Sequence, residues 1–469
     1  MKIIPEFQLT LNEIRTAVKT PVIYKNDGII RSIVTNSKEA MPNDLFIALL
    51  GDKENGEDYI AEAKERGAYI MSKQSDISDI LVSDTYMALL DIISYYKPKL
   101  TNLKSTVAIT GSVGKTTTKN IAKKMLSTIY KVHATKENYN NFLGLFHTVL
   151  TAPKDTEVLI AELGMNHLGE ISLLSGALKP DIAIITNIGS SHIGNLGSRS
   201  MIARAKLEII DGMTHPRLIV PYEEVLLERI SNRHTVSLIN THADCFIEER
   251  HVDASHSVVD IYTQNGVLYS QKISIPGRHI LYAVAFVTEL MLLLNTKTEK
   301  IEEALETLDE TCVRGKIFEI YDFTVYDDTY SSSPEAVFAD FELLSLYKDK
   351  KKSCVLGDML ELGAHTEEMH RKIGLAAAKH GFEKIYAFGV YSPFIAEGAV
   401  SGGIDNGRIF INTDITCPEY TANQILDNHT ANELILFKAS HAVHAEKILE
   451  LLISLVQNKK TQRNGKNDR

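Results

Sequence analysis

The chain has 469 residues, enough for two or three domains that each bury a core of their own. It carries 50 Lys and Arg residues against 60 Asp and Glu residues, and this net charge of −10 argues against a nucleic-acid partner. Membrane-length apolar runs and a signal-peptide pattern are absent, and the four cysteines lack metal-ligand spacing, so we expect a cytoplasmic protein with reduced thiols.

Short strands alternate with helices over residues 1–101, which predicts an N-terminal α/β domain. The expected strands and helices lie at residues 29–34, 45–49, 58–66, 69–71 and 85–96. Pro98 and the polar residues that follow it indicate a linker to the next domain.

Residues 102–309 form a second block, in which nearly continuous apolar strands are predicted at 107–110, 158–163 and 182–187. Such strands, separated by helices, are typical of a parallel sheet that is covered on both faces. Residues 218–275 are less regular and contain alternating, strand-like runs such as 257–262. A helix is predicted at 279–294.

A third βα block is predicted over residues 310–457, with a Rossmann-like succession of strands and helices. The predicted elements are strands at 323–326, 353–356, 384–388 and 433–437, and a helix at 366–380. Residues 458–469 are polar and basic without any apolar side chain, which predicts a disordered tail.

The segment TGSVGKTTT, residues 110–118, lies between the first strand of the second block and a helix predicted at 119–130. Backbone N–H groups of such a Gly-rich turn point at phosphate oxygens, and Lys115 adds a positive charge. A hydroxyl of Thr116 or Thr117 can reach Mg²⁺. Gly111 lies three residues before Gly114 instead of the usual five, so this is a short variant of the phosphate loop. The segment predicts a nucleoside triphosphate as substrate.

Three further side chains follow predicted strands of the second block. Glu162 ends an apolar strand, where its carboxylate needs a cation, either Mg²⁺ or the partner of an ordinary salt bridge. His192, in a loop of Gly, Ser and Asn residues, is a metal ligand, an orienting group or an incidental histidine. Lys206, taken alone, is a solvated lysine on a helix.

An ordered set of motifs carries a resemblance over almost the whole chain: TGSVGKTTTK, KENYNNFLG, AELGMNHLGEI, TNIGSSHIGNLGS, ARAKLEI and VLGDMLELG. The set resembles the Mur ligase family of peptidoglycan precursor synthesis, and within it the members that add D-alanyl-D-alanine to UDP-N-acetylmuramoyl-tripeptide. The resemblance implies ATP-dependent amide formation through an acyl phosphate. It implies two small-molecule substrates, a UDP-linked muramoyl peptide held by the N-terminal domain and a D-amino-acid dipeptide. It also implies a monomer without nucleic-acid or membrane partners.

The resemblance further implies roles for individual residues. The ATP phosphates would be held by Gly111, Ser112, Val113, Gly114, Lys115, Thr116 and Thr117. Mg²⁺ would be bound by Thr116, Glu162, His192 and Lys206, the last of which resembles a lysine that this family carbamylates. A carbamate supplies the oxygens that an ammonium lacks. The catalytic set would be Lys115, Glu162, His192 and Lys206. The nucleotide would also contact Asn138, Asn141, Lys316, Asp328 and Tyr330.

Several positions depart from the family pattern. Asparagines expected beside adenine are replaced by Ile280 and Ala283, and an expected arginine by Lys316. The other departures are Asn36 to Lys38, Glu57, Ser331 to Ser333, Ala439 and His441. Three hypotheses follow: an active D-alanyl-D-alanine-adding ligase, a paralogue that joins another acid and amine, and a nucleotide-binding protein without catalysis. The retained Glu162, His192 and Lys206 argue against the third.

Overall fold

The computed structural model describes residues 1–21, 27–51, 54–320 and 322–467. They form three α/β units in chain order, the first, middle and third units, with main sheets of five, nine and six strands. The predicted α/β fold with parallel sheets is confirmed. The boundaries at residues 101 and 309 stay predictions, and the strands that flank each of them belong to different sheets.

The first unit has a sheet in the order β1-β4-β5-β6-β7, in which only the β1–β4 pair of the described strands is antiparallel. A separate antiparallel pair joins β2 and β3. The strands are β1 (Lys2–Ile3), β2 (Leu9–Thr10), β3 (Ile29–Ile30), β4 (Ile33–Val34), β5 (Leu45–Ile47), β6 (Tyr69–Ser72) and β7 (Ile80–Leu81). The helices are α1 (Leu11–Ala17), α2 (Ile60–Glu65) and α3 (Thr85–Tyr96).

The middle unit has a nine-stranded sheet in the order β16-β15-β14-β13-β12-β11-β8-β10-β9, parallel from β9 to β14 and antiparallel beyond. Its strands are β8 (Ser105–Thr110), β9 (Val132–Ala134), β10 (Val158–Glu162), β11 (Ile182–Ile185), β12 (Leu218–Pro221), β13 (Arg233–Ser237), β14 (Cys245–Val252), β15 (Ser257–Thr263) and β16 (Gly266–Ile273). Its helices are α4 (Lys115–Leu126), α5 (Phe142–Leu150), α6 (Glu170–Leu178), α7 (Ile193–Leu196), α8 (Arg199–Leu207), α9 (Arg278–Leu293) and α10 (Thr298–Leu305).

Burial explains the two kinds of strand pattern in the middle unit. Every residue of the three central strands β8, β10 and β11 is buried, because helices cover both faces of the parallel part. The antiparallel strands β14 and β16 mix buried and exposed residues, which accounts for the alternating runs after residue 218. Ile280 and Ala283 of α9 are buried in the apolar core below the sheet.

The third unit has a six-stranded sheet in the order β17-β18-β22-β19-β20-β21, antiparallel only at β17–β18 among the described strands. Its strands are β17 (Lys316–Ile320), β18 (Phe323–Asp328), β19 (Lys351–Gly357), β20 (Phe382–Phe388), β21 (Ile409–Asn412) and β22 (Glu433–Lys438). Its helices are α11 (Pro334–Leu344), α12 (Thr366–Lys379), α13 (Ser392–Ser401), α14 (Pro418–Asn428) and α15 (Glu446–Asn467).

The end of the chain differs from the predicted disordered tail. The structure continues α15 through residues 458–467, while residues 468 and 469 lie outside the described part. The buried residues Ile448, Leu452 and Val456 anchor the start of this helix. Adding residues to an existing helix avoids the unfavourable nucleation step, so polar residues can extend it. Within the described residues, no helix combines the length and apolar character needed to cross a membrane.

Candidate active site

The phosphate loop connects β8 to α4. It contains two glycines in the left-handed region, with φ of 150° at Gly111 and 80° at Gly114. A Cβ atom at Gly111 would collide with the Thr186 hydroxyl, so this position requires glycine. Gly114 ends the turn, and α4 therefore begins at Lys115, about one turn earlier than the sequence predicted. The first N–H groups of α4 have no partners within the helix and face the end of the loop.

The loop after β11 braces the phosphate loop from behind. Asn187 Oδ1 accepts hydrogen bonds from the N–H groups of Ser112 at 3.0 Å and Val113 at 2.9 Å. Thr186 Oγ1 donates to the Val113 carbonyl at 2.6 Å, and Gly189 N–H donates to Ser112 Oγ at 2.9 Å. These bonds fix the shape of the turn, so the first turn of α4 supplies the N–H groups that remain for a phosphate.

Lys115 is folded over the loop that precedes it. Its Nζ donates to the carbonyls of Gly111 at 2.7 Å and Ser112 at 3.4 Å. Burial lowers the pKa of Lys115, nearby Arg314 lowers it further, and Glu162 opposes both. A lysine so desolvated gains much from a phosphate partner, because an anion offsets the cost of burying its charge.

Glu162 lies at the end of β10 with 1% of its side chain exposed. Thr116 Oγ1 donates to its Oε2 at 2.9 Å, and Asn140 Nδ2 donates to its Oε1 at 3.0 Å. Lys119 Nζ lies 3.6 Å from Oε2. The carboxylate thus meets a lysine, as in the salt-bridge alternative, and also a hydroxyl. Octahedral Mg²⁺ binds oxygens at about 2.0–2.1 Å and so keeps neighbouring ligands about 2.9 Å apart, which fits the Thr116–Glu162 pair.

His192 and Lys206 are placed differently from Glu162. His192 adopts a φ of 64°, and its Nδ1 lies 2.6 Å from Glu361 Oε2 in the third unit. The histidine lowers the pKa of Glu361. Lys206 is 2% exposed. Burial and the neighbouring Lys115 hold the pKa of Lys206 well below its usual value.

A cleft between the middle and third units opens in front of the phosphate loop. It consists of two adjoining cavities of about 290 and 530 Å³ that share Thr116, Asn138, Arg314, Asp328 and Tyr330. The smaller cavity also includes Lys115 and Glu162, whereas Lys316 lines only the larger one. His192, Lys206 and Asn141 line neither cavity. The Asn141 side chain instead caps α5, where its Oδ1 accepts from Gly144 N–H at 2.9 Å.

The wall of the third unit contains a buried cluster of charges. Lys438, 2% exposed, forms ion pairs with Asp328 and, at 3.1 Å, with Asp340. Burial raises the pKa of Asp340 to about 7, although the Lys438 ammonium opposes this shift. The adjacent His279 has its pKa lowered to about 4 by burial. This cluster joins β18, α11 and β22 at the carboxyl ends of the strands, where α/β sheets bind ligands.

Arg314 connects the two walls of the cleft. Its Nη2 donates to Thr116 Oγ1 at 2.6 Å, and its Cζ lies 4.3 Å from the centre of the Tyr330 ring. The His441 ring stacks on Tyr330 at 5.5 Å with a tilt of 22°. The family pattern points to Lys316, two residues later, and does not indicate Arg314, because the pattern has no arginine at this position.

Three further residues of the site were not predicted from the sequence: Lys119, Asn140 and Lys438. Lys119 belongs to the TGSVGKTTTK motif, and Asn140 lies between the two asparagines that were chosen. Both residues could therefore have been selected as candidates from the sequence, but only the fold shows that their side chains lie beside Glu162.

Comparison with known families matches two parts of the chain. Residues 109–290 match the Mur ligase middle domain, and residues 313–441 match the Mur ligase, glutamate ligase domain. The UDP-N-acetylmuramoyl-tripeptide--D-alanyl-D-alanine ligase of Bacillus subtilis (strain 168) is 32% identical over 438 residues, covering 91% of this chain and 93% of the relative. This chain belongs to the Mur ligase family. The enzyme of the same name from Rickettsia prowazekii (strain Madrid E) is 32% identical over 448 residues, covering 88% and 93%.

Solved structures of Mur ligases have the same fold. MurF from Acinetobacter baumannii superposes with a TM-score of 0.85 and 26% identity, covering 96% of this chain and 100% of the other. MurF ligase from Thermotoga maritima, solved in complex with ADP, gives a TM-score of 0.78 and 26% identity, covering 91% and 98%. This Mur ligase is therefore an ATP-dependent ligase with a nucleotide site, and its three units are those of the family.

Proposed function

We propose that this Mur ligase adds D-alanyl-D-alanine to UDP-N-acetylmuramoyl-tripeptide, with ATP as the phosphoryl donor. Relatives from several bacteria carry this name and match most of the chain. The observation that carries the chemistry is the pair Thr116 Oγ1 and Glu162 Oε2, 2.9 Å apart at the mouth of the phosphate loop. A buried carboxylate beside a hydroxyl at this point suits a magnesium–triphosphate complex.

The proposed reaction has two steps. The γ-phosphoryl group moves from ATP to the terminal carboxylate of the tripeptide, giving an acyl phosphate and ADP. The dipeptide amine then attacks the acyl carbon, an amide bond forms, and inorganic phosphate leaves while the amine releases its proton. Carboxylate and triphosphate repel each other, so cationic groups that neutralise this charge lower the barrier. Lys115 and Arg314 are two of the cations that this chain places around the phosphate loop.

We assign residues to this chemistry as follows. The N–H groups of Gly114 to Thr117 and the Lys115 ammonium hold the phosphates. Asn138, Lys316, Asp328 and Tyr330, which line the cleft, contact the nucleotide. Thr116, Glu162, His192 and Lys206 would hold Mg²⁺, which, when bound, neutralises charge between the phosphates and the acyl acceptor. His192 also pairs with Glu361, which links the middle unit to the third unit.

Lys206 suits carbamylation, which we propose for it. The reaction needs a neutral amine to attack carbon dioxide, and burial favours the neutral form of Lys206. Lys206→Ala should abolish turnover, and the wild-type rate should depend on bicarbonate at low pH. Arg204→Ala, which changes an exposed residue on the same helix, is the control. Wild-type rates in Lys206→Ala would contradict the assignment.

The substrate assignment is tested by phosphate release with ATP, Mg²⁺, UDP-N-acetylmuramoyl-tripeptide and D-alanyl-D-alanine. We expect release only when both the tripeptide and the dipeptide are present. Turnover with another acid–amine pair, alongside none with this pair, would favour the paralogue that joins different substrates. Nucleotide binding without turnover of any pair would favour the non-catalytic alternative.

We also propose that the reaction takes place in the cytoplasm. The described residues contain four free cysteines, of which Cys245, Cys312 and Cys354 are buried and Cys417 is exposed. Unpaired thiols of this kind are typical of a reducing compartment. ATP is the co-substrate, and its supply is cytoplasmic.

A further inference from the structure

Three metal-ligating side chains lie together on the hairpin between β14 and β15, outside the cleft. His251 is near the end of β14, and Asp253 and His256 belong to the turn that follows, in the sequence HVDASH. One ligand atom from each of the three residues lies within 4.8 Å of the others. The reaction proposed above uses none of them.

The distances within this cluster match the spacing of ligands around one ion. His251 Nε2 lies 3.0 Å from Asp253 Oδ2, and His256 Nδ1 lies 3.2 Å from Asp253 Oδ1. Tetrahedral Zn²⁺ holds its ligands at about 2.0–2.1 Å, which places neighbouring ligand atoms about 3.3 Å apart. The two imidazole rings have centres 5.5 Å apart, and each places one nitrogen near a different oxygen of the Asp253 carboxylate.

The hairpin holds Asp253 in place without an ion. Asp253 Oδ1 accepts from the N–H groups of Ser255 at 2.7 Å and His256 at 3.0 Å, and Asp253 N–H donates to the His256 carbonyl at 3.1 Å. These hydrogen bonds fix the orientation of the Asp253 carboxylate in the turn. An ion would therefore meet a ligand that is already ordered, which reduces the entropic cost of binding.

We propose that His251, Asp253 and His256 bind one divalent transition-metal ion of the Zn²⁺ class, with water as a further ligand. Two imidazoles and one carboxylate favour Zn²⁺, Co²⁺ or Ni²⁺ over Mg²⁺, which prefers oxygen ligands throughout. The site is distinct from the Mg²⁺ ligands proposed at the phosphate loop and is compatible with simultaneous occupation of both.

The hairpin also contacts the third unit, so an ion here would stiffen a junction between units. Tyr347 of the third unit donates from its hydroxyl to the Ala254 carbonyl in the same turn at 3.3 Å. Arg278 pairs with Glu249 of β14 at 2.8 Å and lies 3.7 Å from Glu342 of the third unit. Binding should therefore raise the temperature of unfolding as well as occupy the turn.

The test is a titration of the untagged full-length protein, stripped of metal by a chelator, with Zn²⁺ by calorimetry and with Co²⁺ by visible absorption. Excess Mg²⁺ is present to occupy the oxygen-rich sites. We expect one ion per chain in the wild type and in His242→Ala, which changes an exposed histidine in the turn at the other end of β14. His251→Ala and His256→Ala should each weaken binding at least tenfold, and the Co²⁺ spectrum of the double variant should be that of free Co²⁺.

His256→Gln is the variant to use if an alanine variant fails to fold, because glutamine keeps a polar side chain in the turn. Thermal unfolding with and without Zn²⁺ gives a second measurement, and the increase seen in the wild type should vanish in the double variant. Absence of binding in the wild type would overturn the proposal. Equal affinity and stoichiometry in the wild type and a folded double-histidine variant would overturn it as well.

Discussion

The two walls of the cleft differ in how closely they follow the family pattern. On the wall of the middle unit, Lys115, Thr116 and Glu162 stand where the pattern expects them. Lys115 bonds the phosphate loop, Thr116 bonds Glu162, and Asn140 also bonds Glu162. On the opposite wall, His441 and the serines after Tyr330 replace family residues. Arg314 nevertheless bridges the walls and stacks on Tyr330. Phosphate and metal chemistry constrains individual atoms, whereas a wall that positions a nucleotide tolerates a different residue in a similar place.

The two positions of α9 at which the family pattern expects asparagine show the same tolerance. Ile280 and Ala283 are buried in the core beneath the sheet, with 0% and 4% of their surfaces exposed. Both side chains are apolar and fill space in this core. The departures therefore alter the packing of this helix and leave the phosphate loop unchanged.

The largest effect should come from Lys115→Ala, which removes the charge at the centre of the wall of the middle unit. Loss of an electrostatic stabiliser of a phosphoryl transition state costs about 10²–10⁵-fold, and we expect a fall in kcat of at least about 10³-fold. Steady-state phosphate release measures it. Lys123→Ala, an exposed lysine on the same helix, should retain wild-type activity. Retained activity in Lys115→Ala would contradict this comparison of the two walls, because the central charge on the wall of the middle unit would then be unnecessary for catalysis.

The site residues on the wall of the middle unit could be predicted from the sequence, because short segments of the chain determine their arrangement. Gly111, Gly114 and Lys115 lie in one turn, and a strand, a turn and a helix in succession determine where they point. Glu162 could be predicted as well, since it ends a buried strand next to β8. Arg314 and Lys438 could not, because their partners Thr116 and Asp340 are distant in the chain. The Arg314 contact depends on how the middle and third units pack, and the Lys438 contacts depend on how β18, α11 and β22 pack within the third unit. No local pattern encodes either arrangement.

The next effect concerns stability of the opposite wall. Lys438→Met leaves Asp328 and Asp340 buried without their cation, which should destabilise the fold by about 3–5 kcal/mol. Denaturant unfolding measures it, with Lys300→Met as the control because Lys300 forms an exposed ion pair with Glu303. The double variant Lys438→Met/Asp340→Asn should recover part of the loss. A Lys438→Met protein as stable as the wild type would show that this cluster does not hold the wall together.

A smaller effect is expected for Arg314→Ala, which removes the bridge between the walls. We expect kcat/KM for ATP to fall by about 10²-fold, the lower end of the cost of losing one charged donor at a phosphoryl site. Arg314→Lys should restore only part of it, because lysine lacks the planar fork that both bonds Thr116 and stacks on Tyr330. Lys316→Ala, which removes the neighbouring cation proposed to contact the nucleotide, should cost less than Arg314→Ala because Lys316 is exposed. A larger loss in Lys316→Ala than in Arg314→Ala would reverse the assignment of the two residues.

The smallest effect, His441→Arg, restores the arginine that the family pattern expects on the third unit. Its side chain would lie against Tyr330, where His441 now stacks. In the wild-type background we expect kcat/KM for ATP to change by less than about threefold, because Arg314 already supplies the guanidinium. In the Arg314→Ala background the same substitution should recover about tenfold, since the cleft then lacks an arginine on that ring. Equal effects in both backgrounds would mean that the two positions act independently. The wall of the third unit would then simply lack the arginine contact of the family, and Arg314 would not be its replacement.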